Sequence, residues 1–200
     1  MNNKKSNVVL VTGATGGIGK SIVNKYSQQG LTLAIADKDE EQANKLVQEI
    51  NHGNGKAMAF PGDLLDQKYC DSLANEVQKK LGSIDILINN AGLMRRGDIT
   101  QTSDEDYDLS MKINVEAPFR LIRAAIPLMA EAGGGSIVNV SSCWGINPGP
   151  NHLIYCTTKA ALAAMTDYDH LNKTISLNNI EKNNIINELK KLNMNFIESS

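Results

Sequence analysis

Short apolar runs alternate with segments of helical spacing along the first part of the chain. Val8–Thr12 is a continuous, largely β-branched run that ends in glycine, and residues 18–29 then have helical spacing up to Gly30. A second apolar run over residues 31–36 ends at Asp37. The first 37 residues therefore predict a strand, a glycine-rich turn, a helix and a second strand.

The same alternation continues to residue 140. The pattern predicts further strands over residues 56–60, 84–88 and 136–140, and helices over residues 40–50, 67–81 and 104–132. Pro118 and Pro127 predict a kink or a break in the last helical region. Because the strands are continuously apolar, we expect a parallel sheet covered by helices on both faces. The predicted fold class is α/β, a doubly wound sheet in three αβα layers, with its ligand at the carboxyl ends of the strands.

Composition and charge narrow the classes of function. The 200 residues are 42% hydrophobic and 21% charged, which fits one globular domain. A net charge of −2 without a basic block argues against binding to nucleic acid or to a membrane surface. The three cysteines lack metal-ligand spacing, and no apolar stretch approaches the roughly 18 residues that span a bilayer. We expect a soluble, cytoplasmic protein with small-molecule partners and no metal.

The composition changes after about residue 166. All 16 Gly and all five Pro lie before residue 151, whereas residues 171–200 contain eight Asn and no Gly, Ala, Val or Pro. This change predicts a domain over residues 1–166 and an atypical tail over residues 167–200. Asn178 and Glu181 have capping-box spacing, and apolar residues follow near helical spacing. The tail is thus open to two interpretations, one amphipathic helix or disorder.

The turn after the first strand has the composition of an anion site. In TGATGGIG, Gly13, Gly17 and Gly19 allow backbone N–H groups to approach a pyrophosphate at the positive end of a helix. Asp37 lies 18 residues beyond Gly19, close to the separation of about 20 at which a carboxylate binds the adenosine ribose. Because that carboxylate repels the 2′-phosphate of NADP and Gly16 offers no basic partner, NAD is favoured over NADP.

Five short motifs in one order make the sequence resemble a known family. They are TGATGGIG, GDLLD with Asp63, NNAG at residues 89–92, KINVEAPF with Asn114, and IVNVSS followed by YCTTK. In this order they resemble the short-chain dehydrogenase/reductase family over residues 7–166. The resemblance implies a Rossmann fold and hydride transfer between NAD or NADP and a small alcohol or ketone, with alcohol oxidation as the expected direction.

The resemblance implies four catalytic residues, Asn114, Ser142, Tyr155 and Lys159. Tyr155 would be the general acid/base, and because a free phenol titrates only near pH 10, it needs a nearby cation. Lys159, one helical turn away, would supply that cation and bind the nicotinamide ribose. Ser142, 13 residues before Tyr155, would hydrogen-bond the reacting oxygen, with Ser141 as the alternative. Asn114, inside a predicted helix, would hold a water that links Lys159 to solvent, or would simply bond to nearby backbone.

Further positions correspond to cofactor contacts of the family. Asp63 would contact the adenine amino group, or would only form a turn after Gly62. Asn90 and its two successors would pass behind the cofactor, whereas Asn89 would be structural. The expected cofactor-binding residues are Gly13, Thr15, Gly16, Gly17, Ile18, Gly19, Asp37, Asp63, Leu64, Asn90, Ala91, Gly92, Tyr155 and Lys159.

Two segments should border the substrate, the one after NNAG and the one that precedes Tyr155. The candidate substrate residues are Met94, Ser142, Trp144 and His152. Trp144 would contact the substrate or pack within its loop, and His152 would be a solvated loop residue, the preferred interpretation, or a second base. The arginines at positions 95 and 96 would lie in solvent or bind an acidic substrate. The segment resembles sugar or polyol dehydrogenases and oxoacyl reductases equally.

The sequence departs from the family pattern after YCTTK. The family's Arg-Val-Asn strand, its Pro-Gly turn near the nicotinamide and its substrate loop have no counterpart after residue 167. A missing strand would leave an unpaired sheet edge and uncovered apolar surface. Whether the chain forms a homo-oligomer is therefore an open question at this point. Three hypotheses follow: an active NAD-dependent oxidoreductase, a nucleotide-binding protein without turnover, or a truncated, inactive relative.

Overall fold

The computed structural model describes residues 7–171, and side chains up to residue 166. The predictions for residues 172–200 lie outside the described residues. In chain order the elements are β1 (Val8–Thr12), α1 (Gly17–Gln28), β2 (Thr32–Asp37), α2 (Glu40–His52), β3 (Lys56–Pro61), α3 (Gln67–Leu81), β4 (Ile86–Asn89), α4 (Asp104–Met111), a π turn (Lys112–Glu116), α5 (Ala117–Glu131), β5 (Ser136–Asn139), a 3₁₀ turn (Cys143–Gly145) and α6 (Leu153–Leu171).

The strands form one parallel sheet in the order β3-β2-β1-β4-β5. β1 pairs with β2 on one side, where Val9 lies opposite Leu33, and with β4 on the other, where Val9 lies opposite Ile86. All five residues of β1 are buried, as its continuous apolar sequence predicts. The predicted α/β doubly wound fold is therefore confirmed.

Alternate residues of the strands supply two separate apolar cores. On one face, Val9 and Val11 of β1 pack in a cluster with residues of α1 and α2. On the other face, Val8 and Leu10 belong to a cluster with residues of α3 and α5. Because both faces of β1 are covered, its sequence has no polar alternation, and the three layers follow from this burial.

Most of the predicted element boundaries agree with the structure to within two residues, and the differences have local causes. The strand expected from residue 84 begins at Ile86, and the Asp85 carboxylate accepts a hydrogen bond of 2.7 Å from the Val8 N–H. The strand expected to end at residue 140 ends at Asn139. Side chains cap α2, α3 and α4, namely Asp39, Asp66 and Ser103, whereas α1 has no side-chain cap.

The helical region over residues 104–132 is interrupted, but at neither of the two prolines from which a kink or a break was predicted. A five-residue π turn, Lys112–Glu116, separates α4 from α5 and contains Asn114. Pro118 lies in the first turn of α5, directly after the π turn, and Pro127 lies inside α5 without ending it. Asn114 therefore occupies a wide turn and not the regular helix interior that the sequence predicted.

Replacement of Leu33 tests the contribution of the sheet core. Leu33 is fully buried in β2, so Leu33→Ala should lower the free energy of unfolding by about 2–5 kcal/mol through lost burial and the cavity left behind. Leu65, which is 40% exposed, is the matched control, and Leu65→Ala should change stability by less than about 1 kcal/mol. Urea unfolding of both variants measures the difference, and equal losses would contradict this assignment of the core.

Candidate active site

A cleft of about 640 Å³ lies at the carboxyl ends of β1 and β4. The chain leaves β1 toward β2 and β3 and later returns to β4, so the strand order reverses between β1 and β4, where open α/β sheets bind their ligands. The residues that line the cleft are Gly13, Thr15, Gly16, Gly17, Ile18, Gly19, Ala36, Asp37, Lys38, Gly62, Asp63, Leu64, Leu65, Tyr69, Asn90, Ala91, Gly92, Leu93, Arg95, Leu109 and Ile113. All of the expected cofactor contacts between Gly13 and Gly92 are among them.

The glycines of the first turn serve two different purposes. Gly13 has a φ of +60°, and a Cβ on it would lie 2.8 Å from the Cα of Ala91. A Cβ on Gly19 would overlap the carbonyl oxygen of Gly13, so both positions require glycine for close backbone packing. A Cβ on Gly17, by contrast, would meet nothing within 4 Å. Gly17 thus begins α1 facing open space, with the unpaired N–H groups of a helix start directed there.

Asp37 connects the end of β2 to the glycine-rich turn. Its Oδ2 accepts hydrogen bonds from the Thr15 N–H (3.0 Å) and hydroxyl (2.8 Å), and its Oδ1 accepts one from the Asp39 N–H (3.2 Å). Lys38 is exposed and also lines the cleft. The predicted ribose carboxylate is therefore held in a defined position at the edge of the cleft.

The segment after β4 is fastened to the end of β1. The Asn90 side chain donates hydrogen bonds of 3.0 Å to the carbonyls of Thr12 and Gly13, and the N–H groups of Asn90 and Ala91 both donate to the Thr12 hydroxyl at 3.1 Å. Asn89 instead bonds to Asn139 of β5 at 2.8 Å, which agrees with the structural role expected of it. These bonds hold the backbone of Asn90 and Ala91 along the wall of the cleft.

Asp63 lies at the far end of the cleft, after β3. Its carboxylate accepts a hydrogen bond of 2.9 Å from the Leu65 N–H, so it forms the turn that one sequence interpretation described, and it lines the cleft as well. Tyr69 of α3 packs against Gly62 and donates a hydrogen bond of 2.6 Å to the Phe60 carbonyl. Burial raises the pKa of Tyr69, so this phenol stays protonated.

Asn114 joins three parts of the site. Its Oδ1 accepts a hydrogen bond of 2.7 Å from the Leu93 N–H, while its Nδ2 donates to the Leu93 carbonyl (2.8 Å) and to the Thr158 hydroxyl (3.0 Å). Asn114 and Thr158 are both fully buried. The backbone that Asn114 holds is thus 21 residues away in sequence, and not the adjacent helical backbone of the alternative interpretation.

Lys159 is a buried cation beside the cleft. It is 3% exposed, and its Nζ donates a hydrogen bond of 2.7 Å to the Val140 carbonyl at the end of β5. A Cβ on Gly92 would lie 3.3 Å from that Nζ and 3.6 Å from the Asn114 Oδ1, so Gly92 leaves room beside both. Burial lowers the pKa of Lys159 from 10.5 to about 8, which still leaves most of its charge at neutral pH.

Tyr155 lies one turn before Lys159 on α6 and contacts an aromatic cluster. The Lys159 Nζ is 5.8 Å from the Tyr155 ring centroid, and the Trp144 ring lies edge-on to Tyr155 with centroids 6.2 Å apart. The Ser142 hydroxyl caps the 3₁₀ turn by accepting a hydrogen bond of 3.2 Å from the Trp144 N–H. Ser141 instead donates to the Lys159 carbonyl at 2.9 Å, which is a structural bond.

His152 differs from its preferred interpretation as a solvated loop residue. It is only 9% exposed, and its ring lies against Trp144 with centroids 4.4 Å apart. Its Nδ1–H donates a hydrogen bond of 2.7 Å to the Pro150 carbonyl, because a carbonyl can only accept. His152 is buried because the next residue begins α6 and the loop folds back over Trp144.

The two arginines after NNAG have different surroundings. Arg95 forms an ion pair of 2.9 Å with Asp106 of α4, and its side chain remains 42% exposed. Arg96 is exposed, as is Met94, half of whose surface is accessible. Met94 does not line the cleft.

Sequence reasoning missed several residues of the site. Thr12, Tyr69 and Thr158 form the bonds that position its walls, and Leu109 and Ile113 line the cleft from α4 and the π turn. Thr158 precedes Lys159 in YCTTK, so its place at the site could be predicted. No sequence pattern predicts the packing of Tyr69 of α3 against Gly62. Conversely, the cleft itself is not lined by the predicted site residues Met94, Asn114, Ser142, Trp144, His152, Tyr155 and Lys159.

Two further properties concern the described part of the chain. Within residues 7–171, no cluster of three or more His, Cys, Asp or Glu side chains has an arrangement that could hold a metal ion. The helices found there are also too short or too polar to cross a membrane.

Comparison with known proteins agrees with this architecture. A family model described as short chain dehydrogenase matches residues 7–190, which extends beyond the boundary expected at residue 166. An uncharacterized oxidoreductase from Thermotoga maritima is 39% identical over 164 residues, covering 82% of this chain and 64% of the relative. A 3-oxoacyl-(acyl-carrier-protein) reductase from the same organism is 34% identical over 159 residues, covering 80% and 65%.

A solved structure gives the same result. A short-chain dehydrogenase from Streptomyces avermitilis superimposes with a TM-score of 0.76 at 33% identity, covering 81% of this chain and 58% of that one. The chain spans less than two thirds of the length of each of these three proteins. On the family match and these identities, the chain belongs to the short-chain dehydrogenase/reductase family.

Proposed function

We propose that the protein is an NAD-dependent oxidoreductase that transfers a hydride between the nicotinamide and a secondary alcohol or ketone of a small molecule. One observation carries the proposal: buried Lys159 and Tyr155 lie one turn apart on α6, and Gly92 of the nucleotide cleft lies directly beside the Lys159 Nζ. A dinucleotide that filled the cleft would therefore end at these two side chains. Asn114 and Ser142 complete the set of four proposed catalytic residues.

The residues present fit a dinucleotide. The open face of Gly17, the uncapped start of α1 and the absence of acidic residues from its first turn suit a pyrophosphate. Lys159 uses one N–H on Val140, and its other donors are available beside Gly92 for ribose hydroxyls. When bound, the nicotinamide would accept the hydride from an alcohol or give it to a ketone.

The chain's own residues would move and hold the proton. Tyr155 takes the hydroxyl proton of an alcohol, or returns it to a ketone, through its phenol oxygen. The Lys159 ammonium lies beside it, with Nζ 5.8 Å from the Tyr155 ring centroid, and would bind the nicotinamide ribose. Ser142 would hold the reacting oxygen by a hydrogen bond, and Asn114 keeps Leu93 and Thr158 in place around the ammonium.

A preference for NAD over NADP is part of the proposal. The Asp37 carboxylate at the end of β2 is fixed by Thr15, where the adenosine ribose of a bound dinucleotide would lie, and its charge opposes a 2′-phosphate. Lys38 is adjacent and exposed. Its ammonium would weaken the repulsion between Asp37 and a 2′-phosphate if it reached that phosphate.

A second candidate, nucleotide binding without turnover, is favoured by one observation. The cleft is lined by the expected cofactor contacts, whereas Ser142 and Tyr155 stand outside it. Because one relative is a reductase of oxoacyl groups, a catalytic role remains the first candidate, and the following variants separate the two.

Replacement of Tyr155 distinguishes catalysis from binding. Tyr155→Phe should lower the rate of NADH formation from secondary alcohols by about 100- to 10,000-fold, since it removes the proton-transferring oxygen. The NAD-induced rise in melting temperature should remain. Tyr107→Phe, at a tyrosine 49% exposed on α4, is the control and should retain activity. A wild-type protein that binds NAD and oxidises no alcohol would support the second candidate.

Replacement of Asp37 tests cofactor choice. Asp37→Asn keeps an acceptor for Thr15 but removes the charge, so affinity for NADP relative to NAD should rise by roughly tenfold. Asp39→Asn is the matched control, because Asn caps a helix as well as Asp does and Asp39 does not line the cleft. Melting temperatures measured across concentrations of both nucleotides give the ratio. An unchanged ratio in Asp37→Asn would contradict the proposed ribose contact.

The buried Lys159 predicts a pH dependence of stability. Its pKa falls from 10.5 to about 8 on folding, so between these values the unfolded chain binds a proton that the folded chain lacks, and stability rises with pH. Wild type should therefore gain about 1–3 kcal/mol relative to Lys159→Met between pH 7.5 and pH 10. Denaturant unfolding at both pH values measures this gain. A constant difference between the two proteins would show that the ammonium is not desolvated.

A further inference from the structure

We propose that Trp144 is a positioning residue that holds the ring of Tyr155 in place, and that Gly149 and His152 in turn hold Trp144. This role rests on the proposed function, in which Tyr155 transfers the proton. Trp144, Gly149 and His152 do not line the nucleotide cleft, so they act through Tyr155 and not on the cofactor. The contacts of the Trp144 ring, and the attachment of its turn to α6, support this assignment.

The 3₁₀ turn that carries Trp144 is attached to α6 at Lys159. A Cβ on Gly145 would lie 2.8 Å from the Lys159 carbonyl carbon, and the Ser141 hydroxyl donates a hydrogen bond of 2.9 Å to the Lys159 carbonyl oxygen. Between these two contacts, the Trp144 N–H donates a hydrogen bond of 3.2 Å to the Ser142 Oγ. That bond occupies a lone pair of the hydroxyl and leaves its O–H to donate to the reacting oxygen. The turn therefore orients Ser142 and presents the Trp144 ring from a fixed base.

The Trp144 ring extends from this turn to Tyr155, one helical turn before Lys159. The two ring planes make an angle of 84° with their centroids 6.2 Å apart, which is the edge-to-face arrangement that aromatic pairs prefer. The Lys159 Nζ lies 5.8 Å from the centroid of the same Tyr155 ring. The phenol ring thus has one aromatic and one cationic neighbour, both anchored to α6 within one turn. Displacement of the indole would therefore remove a contact that fixes the orientation of the Tyr155 ring.

Gly149 and His152 hold the Trp144 ring from the loop before α6. The His152 ring lies 4.4 Å from the Trp144 ring between centroids, and its Nδ1–H donates a hydrogen bond of 2.7 Å to the Pro150 carbonyl. A Cβ on Gly149 would lie 2.6 Å from the indole Cε2, so the Gly149 backbone lies against the ring. The bridge between Gly97 and His152 joins this loop to the segment after NNAG. These contacts account for the place of the ring without a substrate, which favours a positioning role for Trp144 over substrate contact.

Replacement of Gly149 displaces the indole selectively. The φ of Gly149 lies outside the left-handed region and the nearest atoms to an added Cβ all belong to the Trp144 ring, so alanine fits the backbone and only the ring has to move. Gly149→Ala should lower kcat for NADH formation from cyclohexanol and isopropanol about three- to tenfold, with the KM for NAD unchanged. Gly53→Ala is the matched control, because a Cβ there meets only carbonyl oxygens of α2 at 3.5 and 3.6 Å, and it should keep kcat within about twofold of wild type.

Two measurements test the same contacts without turnover. In urea unfolding, Gly149→Ala should lower the midpoint of wild type but have little effect in Trp144→Leu, where the indole is absent. The tryptophan band of the near-ultraviolet circular dichroism belongs to Trp144 alone, because it is the protein's single tryptophan. That band should change in Tyr155→Leu and not in Tyr107→Leu, the exposed control on α4. Equal midpoint losses in both backgrounds, or equal changes of the band in both tyrosine variants, would overturn the proposal.

Variants of His152 separate positioning from acid/base chemistry. His152→Ala removes the ring beside Trp144 and should lower kcat about three- to tenfold, whereas His152→Phe keeps a ring without a titratable nitrogen and should recover most of that loss. His52→Ala, at an exposed histidine of α2, is the control and should match wild type. Equal losses in His152→Ala and His152→Phe would assign the effect to a ring nitrogen and overturn the role of His152 in holding Trp144.

These results distinguish failure of the positioning role from failure of the proposed function. If wild type oxidises neither alcohol while the urea midpoints are coupled and the tryptophan band responds to Tyr155→Leu alone, the proposed turnover fails and the arrangement around Tyr155 stands. If wild type is active and Gly149→Ala changes the tryptophan band but not kcat, the oxidoreductase stands and the positioning role of Trp144 is overturned.

Discussion

The parallel pairing of β1 with both β2 and β4 is the constraint on which the site depends. Because β1 is central and its neighbours connect in opposite directions, the chain opens a crevice at its carboxyl end that no side chain has to create. The glycine-rich turn and the NNAG segment then meet across this crevice, held by the bonds from Asn90 to Thr12 and Gly13. A side chain on Gly13 would push against Ala91 of the NNAG segment, and one on Gly19 would distort the glycine-rich turn itself.

The same sheet explains how a lysine is buried beside the cleft. The end of β5 supplies the Val140 carbonyl, and the 3₁₀ turn covers the backbone of α6, so Lys159 is removed from water with one strong acceptor. Burial of a cation costs free energy, which appears here as a lowered pKa. A buried cation with spare donors next to a phenol is unfavourable for the fold alone, which is why the pair supports a chemical role.

Residues whose signal is local could be predicted from the sequence. β1, β2 and β4 were readable because both faces of each are buried, and the first turn because Gly13 and Gly19 have no room for side chains. Asn114 was recognised by motif, but not its π turn or its partners, because Leu93 and Thr158 lie far away in sequence. His152 was misjudged for the same reason: its burial results from Trp144 and from the return of the loop onto α6.

The cleft and the loops that adjoin Tyr155 differ in the contacts that hold them in place. The cleft is built on strand ends, between residues 12 and 113, and its walls are bonded to the sheet. The loops that adjoin Tyr155 are held by the bridge between Gly97 and His152 and by the packing of Trp144 against His152. Changes in those loops can therefore leave the walls of the cleft intact. Lys159 joins the two parts, because Gly145 of the 3₁₀ turn packs against its backbone while its Nζ lies beside Gly92 of the cleft.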